Sequence, residues 1–251
     1  MHDPSDSHPP RDAASSGAAP RGEVPGAGAP HVEAPGVEAP GVEAPGVEAS
    51  RAEAAGGDYQ RKVQRIRESY EERKAAATLE KGLVAVFTGT GKGKSTAAFG
   101  MALRALQHGM KVGVVQYVKG AIATAETDAF ARFGAQVEWH RMGEGFHWIT
   151  QDADLDRRAA ARAWELSTAF LERPDVGMLV LDELVVALRL RQLDEAVVLE
   201  ALRNKRADQH VVLTGRGASK ELIDVADLVT EMKMVKHHYR AGVRAQAGIE
   251  F

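Results

Sequence analysis

The chain of 251 residues contains no cysteine. That absence excludes disulfides, thiolate zinc sites, iron–sulfur clusters and a cysteine nucleophile, and it fits a cytoplasmic setting. No run approaches the ~18 consecutive apolar residues of a membrane span, so a soluble protein without a membrane partner is expected. The opening MHDPSDSHPPRDAASSG lacks the basic start and apolar core of a secretory signal. A large charge of one sign is missing too, since the net charge is −3. Residues 1–57 hold nine acidic groups against three arginines, or −6, which leaves +3 on the remainder. A mildly basic domain suits a polyanionic small ligand and falls short of a nucleic-acid surface.

What is present falls into three parts. In residues 1–57 a pentad recurs as APHVE, APGVE, APGVE, APGVE between Ala29 and Glu48. Proline and glycine every five residues obstruct helix and strand ladders, and valine is the only sizeable apolar side chain. A disordered tail is therefore predicted. Composition changes at Asp58, where DYQRKVQRIRESYEERKAAATLEKG is rich in helix formers, with Asp58 placed to cap it and Gly82 to stop it. Its apolar positions are sparse, which describes a polar helical arm over 58–82 that either lies across a domain or second subunit or is simply solvated.

From 83 to 251 short apolar runs alternate with helical patterns. Six strands are predicted: Leu83–Thr88, Lys111–Val118, Ala135–His140, Val176–Leu184, His210–Arg216 and Ala226–Val235. Helices are predicted from the glycine loop to His108, over Asp154–Arg173 and around Asp194–Asn204. The pattern implies an α/β fold, a mostly parallel sheet covered by helices on both faces. Ligands bind such sheets at the carboxyl ends of the strands.

Chemistry concentrates at those ends. TGTGKGKST, Thr88 to Thr96, lies between a predicted strand and a predicted helix, where a phosphate loop belongs. The G-x-x-x-x-G-K-[ST] spacing fails, because Thr88 stands where its first glycine should be. Gly89, Gly91 and Gly93 still let successive amides converge on an anion at the positive end of a helix. Thr90 belongs to the same loop, Lys92 and Lys94 add two ammonium groups, and Ser95 and Thr96 add hydroxyls, with Ser95 the candidate Mg²⁺ ligand. The strand LVLDEL ends in Asp182-Glu183, an acidic pair of the kind that holds Mg²⁺ in P-loop proteins. Asp182 would hold the metal directly or through water, and Glu183 could be base, metal ligand or substrate contact. In MGEGFHW, Phe146 and Trp148 either wall a large flat ligand or pin their loop to the core. His237 and His238 are adjacent and cannot both face one metal on a regular strand, so no metal is expected there.

Taken together, the segment Gly82–Gly120, then MGEGFHW, LDEL, VVLTGRGA, ADLVTEM and the closing VKHHYRAGVRAQAGIEF resemble the ATP:corrinoid adenosyltransferases, also called cob(I)yrinic acid a,c-diamide adenosyltransferases, over about Asp58–Phe251. The resemblance implies a P-loop NTPase-like fold. It also implies transfer of the 5′-deoxyadenosyl group of ATP to cobalt(I) of a corrinoid, in adenosylcobalamin synthesis or salvage, with triphosphate leaving. The ATP side would comprise Gly89–Thr96 and Arg104, with Lys94, Asp182 and Glu183 catalytic and Mg²⁺ or Mn²⁺ on Ser95 and Asp182. Phe146, Trp148 and Gln116 would face the corrinoid. A homodimer and a reducing flavoprotein partner are implied as well. Val185 departs from the family pattern, which often has Asn or Thr after LDEL. The competing expectation is a P-loop ATPase or small-molecule kinase that cleaves at phosphorus.

Overall fold

A computed structural model describes residues 46–118, 125–142 and 152–250, with side chains from Asp58 onward. The pentads up to residue 45, Phe146 and Trp148 lie outside the described residues.

The first helix, α1 (Gly46–Ala76), begins inside the last pentad instead of at Asp58. The run EASRAEAA from Glu48 to Ala55 is made of good helix formers, which outweigh the glycines at 56 and 57. The helix also ends before Gly82, whose role is different. A Cβ on Gly82 would stand 2.1 Å from the Gln209 carbonyl oxygen, and Gly82 N donates to Ala207 O at 2.5 Å. Gly82 is thus where two backbones meet. Through Glu71, α1 belongs to a unit apart from the one formed by Glu72–Phe251.

That second unit is built on six parallel strands: β1 (Val84–Thr88), β2 (Lys111–Gln116), β3 (Val137–Arg141), β4 (Val176–Asp182), β5 (His210–Thr214) and β6 (Leu228–Glu231). Their order is β3-β2-β4-β5-β1-β6. The helices are α2 (Lys94–Gln107), α3 (Ala125–Ala131), α4 (Ala153–Glu172), α5 (Leu184–Arg189), α6 (Glu195–Asn204) and α7 (Lys220–Val225). All six predicted strands are present, each within a few residues of its expected bounds.

Alternate residues of β1 explain the two covered faces. Val84 and Val86 enter a core with Phe170 and Leu171 of α4, Leu202 of α6 and Leu222 of α7. Ala85 and Phe87 enter the opposite core with Ala98, Phe99 and Ala102 of α2. Val112, Val114, Val180 and Val212 complete that second layer, fully shielded from solvent. A strand buried on both sides reads as an unbroken apolar run, which is why these strands are legible.

Parallel pairing puts all six carboxyl ends on one edge, and register decides which residues share a level. Gln116 pairs with both Arg141 and Asp182. Leu181 pairs with Leu213, so Asp182 is level with Thr214. Phe87 pairs with Thr214, and Thr88 with Glu231.

Candidate active site

The glycine loop leaves β1 at this edge and enters α2. Thr88, where a glycine would satisfy the usual spacing, is the last strand residue. Its hydroxyl accepts the Ala218 amide at 3.2 Å and its carbonyl accepts the Met232 amide at 2.8 Å. The turn therefore starts one residue later. Gly89 (φ 97) and Gly93 (φ 103) both take the left-handed conformation that only glycine adopts without strain. A Cβ on Gly91 would come within 2.9 Å of the Lys233 and Met232 backbone, and Gly91 N donates to Met232 O at 2.6 Å. Each of the three glycines has a steric reason.

Gly93 precedes the first turn of α2 and no side chain caps it, so the helix presents its free amides to the loop. Lys94 is 7% exposed and its ammonium donates to Gly91 O at 2.6 Å. Burial lowers its pKa, an effect that Glu183 opposes and that Arg216 and Lys92 reinforce. Lys92, Lys94, Asp182, Glu183 and Arg216 therefore share one electrostatic neighbourhood. Arg216 joins this neighbourhood with no motif of its own to announce it. Its signal was position, since G-R-G follows β5 at the same edge as every other motif.

Asp182 is fully buried. Its Oδ1 accepts the Thr214 hydroxyl at 2.7 Å and its Oδ2 accepts the Gln116 amide at 2.9 Å. Thr214 Oγ1 in turn accepts Glu183 N at 2.9 Å. Glu183 has φ 62, uncommon for a residue other than glycine. Such strain persists where surroundings enforce it, and Gly215 permits it: a Cβ there would stand 2.7 Å from Val185 Cβ. Val185 is buried and packs in the core.

Gln116 is 1% exposed, and with its amide nitrogen on Asp182 its oxygen accepts the Trp139 indole N–H at 2.9 Å. It braces the Asp182 carboxylate, with both ends of its amide engaged within the protein. Arg104 is exposed in the last turn of α2. Ten residues of helix rise separate it from Lys94, about 15 Å along the axis, so it sits near the far end from the loop. Thr90 and Thr96 are exposed at the loop and Ser95 is half-buried.

The hydroxyl of Ser95 and the carboxylates of Asp182 and Glu183 are hard oxygen donors of the type Mg²⁺ takes. The Asp182 carboxylate is held in place by Thr214 and Gln116, and oxygen donors ordered in this way suit a hard cation held directly or through water. His237, His238 and Glu250 also converge, with candidate ligand atoms within 4.8 Å of one another. His237 Nδ1, however, accepts the Tyr239 amide at 3.2 Å. A neutral imidazole in that role carries its proton on Nε2, so two ligand atoms remain and not three. A cavity of about 550 Å³ opens at the opposite, amino end of the sheet, beside Lys81, Lys205 and Asp227. Lys205 there is spent on the carbonyls of Gly82, Arg206 and Gln209, so the cavity is a poor phosphate site.

A sequence profile of the family described as ATP:corrinoid adenosyltransferase BtuR/CobO/CobP matches residues 80–251. A corrinoid adenosyltransferase of Pseudomonas aeruginosa is 49% identical over 193 residues, covering 77% of this chain and 95% of the relative. One from Sinorhizobium sp. is 45% identical, covering 76% and 90%. The corrinoid adenosyltransferase CobA of Salmonella typhimurium is 41% identical, covering 77% and 97%.

Proposed function

The chain belongs to the ATP:corrinoid adenosyltransferase family and adenosylates corrinoids in cobalamin biosynthesis, and from that premise we propose how its own residues divide the work. The cobalt(I) electron pair of the corrinoid forms a bond to the ribose C5′ of ATP. The C5′–oxygen bond breaks, and its electron pair leaves with triphosphate as cobalt becomes formally cobalt(III). The nucleophile is supplied by the substrate, so the protein positions reactants and stabilises the leaving charge.

The observation that carries this reading is the loop. Left-handed Gly89 and Gly93 turn the chain into α2, whose uncapped amino end, flanked by Lys92 and Lys94, lies at the carboxyl edge of the sheet. The amides of Gly89–Ser95 and both ammonium groups would hold the triphosphate, and Lys94 would leave Gly91 O for a phosphate oxygen. Arg216, exposed across the edge, adds a third cation. Mg²⁺, held by Ser95 with Asp182 and Glu183, would supply further charge neutralisation on the triphosphate. Thr214 and Gln116 fix the Asp182 carboxylate, and Glu183 presents its own from a strained backbone. Phe146 and Trp148 are assigned by family resemblance to the corrin face.

The family resemblance further supports a homodimer and a reducing flavoprotein as electron donor. On α1, Tyr59, Val63, Ile66 and Tyr70 recur on one helical face and are all exposed (44–70%), the pattern of a surface awaiting a partner. Sedimentation of the full chain checks the dimer, and a monomer at micromolar concentration removes it from the proposal.

The deciding experiment incubates the protein with ATP and chemically reduced corrinoid and identifies both products. Inorganic triphosphate and the absorption change of a cobalt–carbon bond are expected. ADP as the main product, with no alkylated corrinoid, overturns the assignment in favour of phosphoryl transfer.

A further inference from the structure

Lys92 is paired within the protein. Its Nζ donates to Glu250 Oε2 at 2.5 Å, joining the phosphate loop to a residue 158 positions later. The two partners are held unequally: the Glu250 side chain is 18% exposed and that of Lys92 46%. The other Glu250 oxygen lies 3.2 Å from His238 Nε2. Left-handed Gly248 turns the chain, and Glu250 N donates to Gln246 O at 2.9 Å. The carboxylate is thus the more enclosed of the two, while the lysine has room to swing. Lys92 also keeps the Glu250 carboxyl below its ordinary pKa, so it is ionised at neutral pH.

An enclosed anion beside a polyphosphate site opposes its own ligand. Any triphosphate group that recruits Lys92 must first separate it from Glu250, and Glu250 recaptures the ammonium when the anion departs. We propose that Glu250 is an internal competitor for Lys92, weakening the hold on polyphosphate and promoting release of triphosphate. The inference rests on the assignment of Lys92 to the triphosphate site. It bears most on the product, because breaking the C5′–oxygen bond leaves one more charged oxygen facing the same cations. A site with two lysines, helix amides and Mg²⁺ would otherwise retain that product. Glu250 is a positioning residue in this scheme, acting on the reaction only through where Lys92 resides.

The test is calorimetric titration of the full chain with inorganic triphosphate and Mg²⁺, without corrinoid, for wild type, E250Q, E250A and K92A. Removing one charge from a partly solvated pair should tighten triphosphate binding about five-fold in both Glu250 variants and slow its dissociation in stopped flow. K92A should bind more weakly, and adding E250Q to it should change affinity less than E250Q alone. A merely structural Glu250 would change melting temperature without tightening binding. Unchanged or weaker triphosphate binding in E250Q and E250A, with wild type binding normally, overturns the competitor role. A wild-type protein that fails to bind triphosphate at all instead overturns the active-site assignment beneath it.

Discussion

At Lys94 function and stability oppose each other. The fold buries this ammonium and lowers its pKa, so between the folded pKa and 10.5 the unfolded chain binds the proton that the native chain has lost. Stability therefore rises with pH through that window, and below it the native state bears the burial of the charge in full. On the proposed mechanism Lys94→Met should reduce turnover by roughly 100-fold or more, by removing a charge assigned to the leaving group. It should also raise the melting temperature at pH 7, a combination that scanning calorimetry and a turnover assay check together. A lower melting temperature would show that the bond to Gly91 O outweighs the burial cost.

Thr214 is the other residue on which much depends, because one hydroxyl serves two neighbours. It donates to Asp182 and accepts from the Glu183 amide. Thr214→Val keeps the shape and leaves both groups short of a partner inside the fold, costing about 1–3 kcal/mol for each one left unpaired. Urea unfolding should register that loss, and Thr214→Ser should restore most of it. The acidic pair itself was legible as a strand-end Asp-Glu. Thr214 was not, since its role exists only through a register that places residues 32 positions apart side by side. The bracing role of Gln116 is hidden for the same reason, since its partners Asp182 and Trp139 lie on two other strands.

At the scale of elements, the joint between β2, β3 and the end of α4 is electrostatic. Arg173 donates to both Glu138 oxygens, at 2.6 and 2.8 Å. Lys111 bridges Glu138 at 2.8 Å and Asp175 at 3.0 Å. Arg173 foremost, then Lys111, holds the Glu138 carboxyl at about 2 against an ordinary 4.5. Its contribution is therefore present above pH 4.5 and lost as pH falls from there toward 2. Wild type should lose stability faster than Glu138→Gln through that interval, with the two curves converging at its acid end. Parallel curves from pH 6 to 3 would show that the joint contributes nothing.

The elements differ in how plainly the sequence announces them. Strands in a doubly covered parallel sheet are apolar throughout, and α4 and α6 carry helical periodicity with Asp152 and Asp194 accepting amides at their starts. The helices α3, α5 and α7 span only six or seven residues, under two turns, too short for a 3.6-residue period to emerge. Arg104, close to the loop in sequence, lies about 15 Å of helix rise from Lys94, a separation that only the rod of α2 makes plain.

For the molecule as a whole, the matched family region starts at residue 80, and every described site residue lies beyond it. Deleting residues 1–57 should leave turnover per site within about two-fold of the full chain, measured under saturating ATP and reduced corrinoid. A larger loss would assign the pentad segment, or the first turns of α1, a part in the reaction. Among the described residues no helix is long and apolar enough to cross a membrane.

The position of β1 in the sheet has a consequence for how the protein is made. The strand that carries the phosphate loop pairs with no strand near it in sequence. Its partners are β5, at Val211–Thr214, and β6, at Leu228–Glu231. During synthesis β1 emerges early and waits for more than a hundred residues before either neighbour exists. Long-range parallel pairing is intrinsically slow, and the exposed apolar strand is open to mispairing in the interval. The glycine loop, whose Gly91 amide bonds Met232, should then be among the last features to take shape. A nascent chain halted before Leu228 should bind no ATP, and the capacity to bind it marks the moment the fold is complete.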